Sequence, residues 1–186
     1  MVPSKQAKVV EAATSVFLRY GFRRTTMGDI ATAAGVSRPA LYLLFCNKER
    51  IFEAVLEAVS STILEDIRNG IARADGPMAK LKLAFELWAV RPFTLMLESP
   101  DARDLVQEGC GSVRGVLDQS QAAFEALLVP VLEALRGPES QPGPEPARVA
   151  RLLAASVRGF KDIARDPAEL RGMIEDLLRL TTLSPA

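Results

Sequence analysis

The stretch that most constrains the fold of this chain is residues 25–48, because it carries the start and stop signals of two short helices. Thr26 is a typical helix N-cap, and Asp29, three residues later, completes an acidic variant of the capping box. Gly35 follows this first helical pattern, where a helix C-terminus often needs a left-handed backbone. Ser37 then caps a second helix. A helix, a glycine-containing turn and another helix form the pattern of a DNA-binding helix-turn-helix.

Helical spacing predicts how this region packs. The first short helix presents Ile30, Ala33 and Ala34 on one apolar face, and the second presents Leu41 and Phe45. An earlier helix is predicted from Lys5 to Tyr20 and ends at Gly21. Its buried stripe consists of Val9, Ala13, Val16, Phe17 and Tyr20. These patterns predict three packed helices at the start of an all-α protein.

The composition of this chain of 186 residues excludes several classes of function. The chain contains no histidine, which removes the commonest general base and the commonest metal ligand. Its two cysteines, Cys46 and Cys110, lie far apart without metal-type spacing, so we expect free thiols, no metal and no cofactor. The sequence has no apolar run of membrane-spanning length and no signal-peptide pattern, so we expect a cytoplasmic protein without a membrane partner.

Charge is distributed unevenly along a chain whose net charge is zero. Residues 1–50 hold eight Lys or Arg against three Asp or Glu, so the remainder carries an equal acidic excess. A basic head on an acidic body is typical of a phosphate-binding module attached to a body that does not bind phosphate. Together with the helix-turn-helix pattern, this asymmetry indicates DNA binding.

Several correctly spaced elements recur together in the first third of the chain. They are Phe17-Leu-Arg-Tyr-Gly-Phe, Thr25-Thr26, Ile30-Ala31, Ala34-Gly-Val-Ser-Arg-Pro-Ala-Leu-Tyr, Phe45 and Asn47-Lys48-Glu49. As a set they resemble the DNA-binding domain of the TetR family of bacterial transcriptional regulators. The resemblance implies an all-helical homodimer, with a DNA-binding domain at residues 1–48 (helix-turn-helix about 26–45) and a helical regulatory domain at 49–186. It also implies a repressor that leaves its operator when a small molecule binds.

The resemblance further implies a set of DNA contacts, here Thr25, Thr26, Ser37, Arg38, Pro39, Ala40, Tyr42, Leu43 and Lys48. Arg38 would read a guanine through its O6 and N7 atoms. Ser37, Pro39 and Ala40 are small enough for a close approach to the groove. Thr26, Tyr42 and Lys48 would contact phosphates.

One departure from the family pattern follows Tyr42. Many relatives carry an aromatic residue or histidine pair there, whereas this chain has Leu43-Leu44. Neither leucine can hydrogen-bond to a phosphate. One could lie in the core and the other could press on thymine methyl groups in the major groove.

The regulatory domain is expected to begin with a linking helix, 49–74, that joins the reading head to the body. In the family the following region, here 77–112, lines the ligand pocket, and an Arg91-Pro92 break is expected inside it. The pocket candidates are Phe85, Trp88, Phe93, Met96 and Cys110. Because few polar groups accompany them, the effector is expected to be apolar or amphipathic.

Two further amphipathic helices, 113–136 and 147–164, are expected to pair with their copies across a two-fold axis. Pro130 predicts a kink in the first of them. A Pro/Gly-rich loop at 137–146 separates the two, and the small residues Ala154, Ala155, Ser156 and Gly159 favour close approach in the second. Each protomer would contribute one head to a double-stranded operator with two half-sites.

Three functions are open at this point. The first is a repressor released by a small molecule. The second is an activator, or a regulator controlled through oxidation of Cys46, on the same fold. The third is an enzyme or ligand-binding protein on a helical scaffold, which the missing histidine and the lack of any nucleophile–base spacing disfavour.

Overall fold

The computed structural model describes residues 4–98, 111–136 and 143–181, and in them the chain is helical without any β-strand. The α-helices are α1 (Lys5–Arg24), α2 (Met27–Ala33), α3 (Arg38–Leu44), α4 (Lys48–Arg73), α5 (Pro77–Phe85), α6 (Arg91–Glu98), α7 (Gly111–Arg136), α8 (Pro146–Ile163) and α9 (Pro167–Leu180). This confirms the predicted all-α class. The described residues also contain no helix with the length and apolar character needed to cross a bilayer.

The chain divides into two compact units. Unit 1 consists of Met1–Ser61 and Met96–Gln119, and unit 2 of Thr62–Leu95 and Ser120–Ala186. Helix α4, close to the predicted linking helix 49–74, begins in unit 1 and ends in unit 2.

The core of unit 1 is built on the predicted stripe of α1, with two corrections. Val9, Ala13, Val16 and Phe17 are buried, but Tyr20 is 44% exposed. Gly21 has φ 73° and ψ 168°, which interrupts the helical backbone directly after Tyr20, and helical structure continues to Arg24. Tyr20, the last residue of the predicted stripe, lies directly before this break and is not part of the buried face.

Helix α2 also turns a different face inward from the one predicted. Its buried residues are Met27, Ile30 and Ala31, whereas Ala33 is exposed and Ala34 is half-buried. The reason is the spacing: Met27, Ile30 and Ala31 follow the three-and-four period from the first helical residue. Three rings complete the core, with Phe17, Phe22 and Phe52 in mutual contact at centroid distances of 5.0–5.7 Å.

The core of unit 2 lies among α4, α5, α7, α8 and α9. Its largest fully buried side chains are Ile67, Leu81, Phe85, Phe124, Leu128, Leu170 and Leu178. Two ion pairs join α9 to the segment that begins with α5. Lys82 lies 3.1 Å from Glu175, and Arg171 makes a two-pronged contact with Glu86 at 2.7 and 2.9 Å.

The expected break at Arg91-Pro92 is wrong. Helix α5 passes through a π-helical turn, Glu86–Val90, directly into α6. The Arg91 N–H bonds to the Glu86 carbonyl five residues earlier, which widens the helix just before Pro92. A widened turn relieves the clash between a proline ring and the preceding turn, so the chain continues as a helix.

The remaining helices agree with the expected pattern to within a few residues. Helix α7 includes Pro130 within its length, and the kink predicted there stays a prediction. Helix α8 buries Ala150, Leu153, Ala154 and Val157 on one side.

Candidate nucleic-acid interface

Local hydrogen bonds define the start of α2. The Thr26 hydroxyl accepts from the Asp29 N–H at 3.2 Å and donates to Asp29 Oδ2 at 2.7 Å, while the Thr26 N–H donates to the same carboxylate at 2.8 Å. This is the capping box that the sequence predicted. These bonds to Thr26 lower the pKa of the Asp29 carboxyl below its usual value, so it carries a negative charge at neutral pH.

The turn between α2 and α3 is closed by a Schellman motif. Gly35 has φ 65°, its N–H bonds to the Thr32 carbonyl at 3.2 Å, and the Val36 N–H bonds to the Ala31 carbonyl at 3.0 Å. Glycine is needed here because a Cβ disfavours the left-handed conformation. The turn therefore fixes the direction in which α3 leaves α2.

Helix α3 presents opposite faces to the core and to solvent. Ser37 caps it by accepting from the Ala40 N–H at 3.3 Å, and Pro39 lies in its first turn. Leu41 is fully buried. The outward residues are Arg38, Pro39, Tyr42 and Leu43.

The two leucines of the unusual pair occupy different environments. Leu43 is 88% exposed, more than any other large apolar side chain among the described residues. Leu44 is half-buried and packs against the core of unit 1. The predicted division between one core leucine and one outward leucine is therefore observed.

The Arg38 guanidinium lies beside the start of α2. A Cβ placed on Gly28 would be 4.0 Å from Arg38 Cζ and 3.5 Å from the Thr26 hydroxyl oxygen, so Arg38 and Thr26 flank the same glycine. In the described ranges the structure records no hydrogen bond or ion pair to the Arg38 guanidinium. All five of its N–H groups remain for a partner outside these residues.

Thr25 and Lys48 occupy positions different from those expected of phosphate contacts. Thr25 is 2% exposed, and its hydroxyl donates to the Gly21 carbonyl at 2.7 Å. The Lys48 ammonium donates to the Phe22 carbonyl at 2.7 Å and the Arg23 carbonyl at 3.4 Å, and lies 4.2 Å from the Phe22 ring centroid.

These two residues satisfy the carbonyl groups that the end of α1 leaves open. A side-chain contact between Thr25 and DNA is incompatible with its burial, and the expectation for Thr25 is corrected accordingly. The Lys48 ammonium already bonds to α1 and thereby joins α4 to that helix. Sequence reasoning missed this role, because the two carbonyl groups lie 25 and 26 residues earlier in the chain.

The comparisons with known proteins agree with this geometry. The family model described as bacterial regulatory proteins, tetR family, matches residues 9–55. The DNA-binding domain of this chain belongs to the TetR family. The match covers most of α1, all of α2 and α3, and the start of α4.

Individual relatives show how far along the chain the sequence similarity extends. The regulator TtgR of Pseudomonas putida is 42% identical over 57 residues, which are 31% of this chain and 27% of TtgR. The repressor KstR2 of Mycobacterium tuberculosis is 29% identical over 84 residues, 45% of this chain and 42% of KstR2. The matched region thus spans about a quarter of the length of TtgR.

A solved structure extends the fold similarity to the whole molecule. A TetR-family transcriptional regulator from Mesorhizobium loti superposes with a TM-score of 0.73 at 20% identity, covering 95% of this chain and 94% of that one. At this identity the likeness shows a shared fold. The shared fold includes the helices after residue 55, which the family model does not match.

The predicted ligand-pocket residues are only partly brought together. Phe85 is fully buried, with an edge-on contact to Phe124 at 5.3 Å, so it belongs to the core. Trp88 is half-buried and stacks on Phe124 at 4.5 Å, and Phe93 packs against the same cluster. Met96 belongs to unit 1, and Cys110 lies outside the described residues.

The search for a metal centre gives a plain result. Within residues 4–98, 111–136 and 143–181 there is no group of three or more Cys, Asp or Glu side chains that could hold a metal ion.

Proposed function

We propose that this chain is a sequence-specific DNA-binding transcriptional regulator that reads the major groove with α3. The observation that carries the proposal is the outward face of α3, a helix capped by Ser37. On this face Arg38 has no hydrogen bond or ion pair within the described ranges, Tyr42 is half-exposed and Leu43 is 88% exposed. Arg38 supplies guanine recognition through its planar fork of donors. Tyr42 is 49% exposed and can donate its hydroxyl to a phosphate.

The other predicted contacts have different degrees of support. Ser37, Pro39 and Ala40 lie at the start of α3, where their small size permits close approach to base edges. Thr26 is the weaker phosphate contact, because its hydroxyl already bonds to Asp29 and that carboxylate repels an anion. Lys48 contributes chiefly by holding α4 against α1.

Two copies of the chain would form the functional molecule, because a head of this size reads only one half-site. The proposed dimer face is the outer stripe of α8, which consists of Leu152, Ala155, Gly159 and Ile163. Leu152 is 56% exposed and Ile163 is 66% exposed. A Cβ built on Gly159 meets nothing within 4 Å, so a partner helix can approach closely.

Helix α9 extends this face, and α7 is the weaker candidate. Leu180 on α9 is 64% exposed. By contrast, Phe124, Leu128 and Val131 of α7 are buried within their own unit. We therefore assign the larger share of the dimer interface to α8 and α9, whereas the sequence favoured 113–136 with 147–164.

Repression released by an effector is the mechanism we favour. A dimer bound at its operator blocks transcription when its heads are about one helical turn (~34 Å) apart. The relative KstR2 is named a repressor. An effector that prefers another arrangement of the heads would release the DNA, and α4, which is continuous from Lys48 to Arg73, is the proposed lever.

Selection of bound sequences from a random pool of duplex DNA tests this proposal. We expect an inverted repeat whose half-sites contain guanine and thymine, followed by tight and salt-dependent binding in a gel shift. Recovery of no enriched sequence would contradict the proposal and favour a ligand-binding or enzymatic function.

The alternative of redox control depends on Cys46, an exposed free thiol between α3 and α4. Gel shifts before and after peroxide treatment separate the two modes of control. The redox alternative requires that oxidation weakens binding and that Cys46→Ala abolishes this effect. A reporter gene placed behind the selected operator distinguishes a repressor from an activator.

A further inference from the structure

Ser120 on α7 carries a buried hydroxyl without a hydrogen-bond partner. The residue is 7% exposed, and in the part of the chain that the structure describes its Oγ is the only fully buried side-chain polar atom left unpaired. A helical serine commonly donates to the carbonyl four residues earlier, which Ser120 does not do here. An unmet buried hydroxyl is unfavourable and therefore rare in native proteins. The hydroxyl is thus available to a partner from outside the chain.

Aromatic rings lie one helical turn away from Ser120. Phe124 follows it by four residues on the same side of α7. The Trp88 indole stacks on Phe124 with a centroid distance of 4.5 Å and an interplanar angle of 4°, and Phe85 meets Phe124 edge-on at 80°. Trp88 is only half-buried, so part of its indole lies outside the core. All of these residues belong to unit 2.

The backbone that carries Trp88 is irregular and firmly held. Trp88 lies in the π-helical turn Glu86–Val90, and such turns occur frequently at functional sites. Glu86, the first residue of this turn, is held by the two-pronged contact with Arg171 on α9. The indole therefore sits on a fixed support, as a preorganised binding surface requires.

The polar groups in this region indicate the charge of the ligand. Arg91 is mostly exposed and lies 4.0 Å from Asp66, and Glu98 is exposed. Gln121 and Glu125 are joined by a hydrogen bond of 2.7 Å, so the carboxylate next to Phe124 already has a partner. These groups leave the neutral hydroxyl and the aromatic surface for a ligand.

We propose that Ser120 and Trp88, on either side of the fully buried Phe124 in the contacts described above, form part of the effector site, and that the effector is a planar, uncharged, largely apolar molecule with one hydrogen-bonding group. The Ser120 hydroxyl bonds to that group, and the indole contacts the planar surface. This inference rests on the proposed function only in calling the molecule an effector, because binding to unit 2 is measurable without DNA.

The test uses 1-naphthol and naphthalene, which share their rings and differ by one hydroxyl. Trp88 is the only tryptophan of the chain, so quenching of its emission reports binding at this position. Wild-type protein should bind 1-naphthol roughly three- to tenfold more tightly than naphthalene, as expected for one neutral hydrogen bond. Ser120→Ala should bind the two probes equally. Ser61→Ala, at an exposed serine of α4, is the matched control and should keep the preference.

Three results would overturn the inference: no saturable quenching below about 1 mM, equal affinities in the wild type, or a preference that survives Ser120→Ala. The comparison of the two probes in the wild type tests the inference even if Ser120→Ala folds poorly. Circular dichroism measures the folding of the variant. If the wild type shows the preference for 1-naphthol but binds no DNA, the proposed function alone is contradicted. If the wild type binds DNA but shows no preference, this inference alone is contradicted.

Discussion

Four consecutive carbonyl groups at the end of α1 receive side-chain donors, and this cluster holds the DNA-binding head together. Arg24 Nε bonds to the Tyr20 carbonyl, the Thr25 hydroxyl to that of Gly21, and the Lys48 ammonium to those of Phe22 and Arg23. Each of these groups would otherwise be left open by the broken helix. Thr25 and Lys48, which the resemblance named as DNA contacts, therefore also contribute to the stability of the head.

Replacement of Lys48 measures the structural share of its role. Lys48→Met should lower the free energy of unfolding by about 1–3 kcal/mol, because it removes charge-assisted hydrogen bonds from carbonyl groups that then remain unsatisfied. Urea denaturation measures this loss, with Lys5→Met, at an exposed lysine, as the control. Unchanged stability, together with a salt slope of DNA binding reduced by about one, would instead show a phosphate contact.

Lys161 on α8 should make stability depend on pH in the alkaline range. Burial, followed by the nearby Arg158, lowers the pKa of its ammonium from 10.5 to about 8, against a smaller opposing effect of Asp162. The folded chain thus releases this proton before the unfolded chain does. The free energy of unfolding should therefore rise as the pH increases from about 8 to 10.5.

The measurement is chemical denaturation at a series of pH values. Lys161→Met should remove the rise and should be more stable than the wild type at pH 7, where the wild-type ammonium is charged and poorly solvated. A wild-type profile without the rise, or an identical rise in the variant, would show that Lys161 is solvated in the folded protein.

At the scale of elements, neighbouring leucines of α3 have different roles: one packs in the core and the other is available for the proposed base readout. Leu43 points outward and Leu44 packs inward, so only Leu43 can contact a thymine methyl group. Removing that methyl, by replacing the contacted thymine with uracil, should weaken wild-type binding about fourfold, the effect of one buried methyl-sized group.

The same substitution in DNA should have no effect on Leu43→Ala, because the side chain that covers the methyl is gone. Filter binding at one salt concentration completes this double-mutant cycle. Equal losses in the wild type and the variant at every thymine of the operator would show that Leu43 does not read the base.

Local signals explain why the sequence predicted the helix-turn-helix well. The caps at Thr26 and Ser37 and the left-handed Gly35 depend on residues three or fewer positions away, so their patterns are visible in the chain. The role of Lys48 depends on carbonyl groups 25 and 26 residues earlier, which no local pattern reveals. The isolation of the Ser120 hydroxyl is likewise a tertiary property, since serine alone indicates neither burial nor a missing partner.

The π-helical turn shows a different limit of sequence analysis. Proline normally ends a helix, and Arg91-Pro92 predicts a break on that basis. The chain instead widens the preceding turn, in which Glu86 also pairs with Arg171 of α9. Phe85 and Trp88 both contact Phe124, and their role as ligand contacts stays a prediction.

At the scale of the whole molecule, the proposed function requires two heads at a fixed separation. Ile163→Asp on the proposed face should convert a dimer into monomers and weaken operator binding at least tenfold, because a charge is then buried in an apolar interface. Sedimentation velocity measures the oligomeric state. Leu117→Asp on α7, at a comparably exposed leucine, is the control and should remain dimeric. The opposite result would assign the interface to α7.

The central claim is that this protein recognises its operator through Arg38. The decisive measurement compares the affinity of wild type, Arg38→Ala and Arg68→Ala for the selected operator and for a scrambled duplex at the same salt concentration. Arg68, exposed on α4, controls for the loss of one charge. Arg38→Ala should lose about 10- to 100-fold of the discrimination, corresponding to ~1–3 kcal/mol, whereas Arg68→Ala should keep it. Discrimination that is unchanged in Arg38→Ala, or absent in the wild type, would contradict the claim.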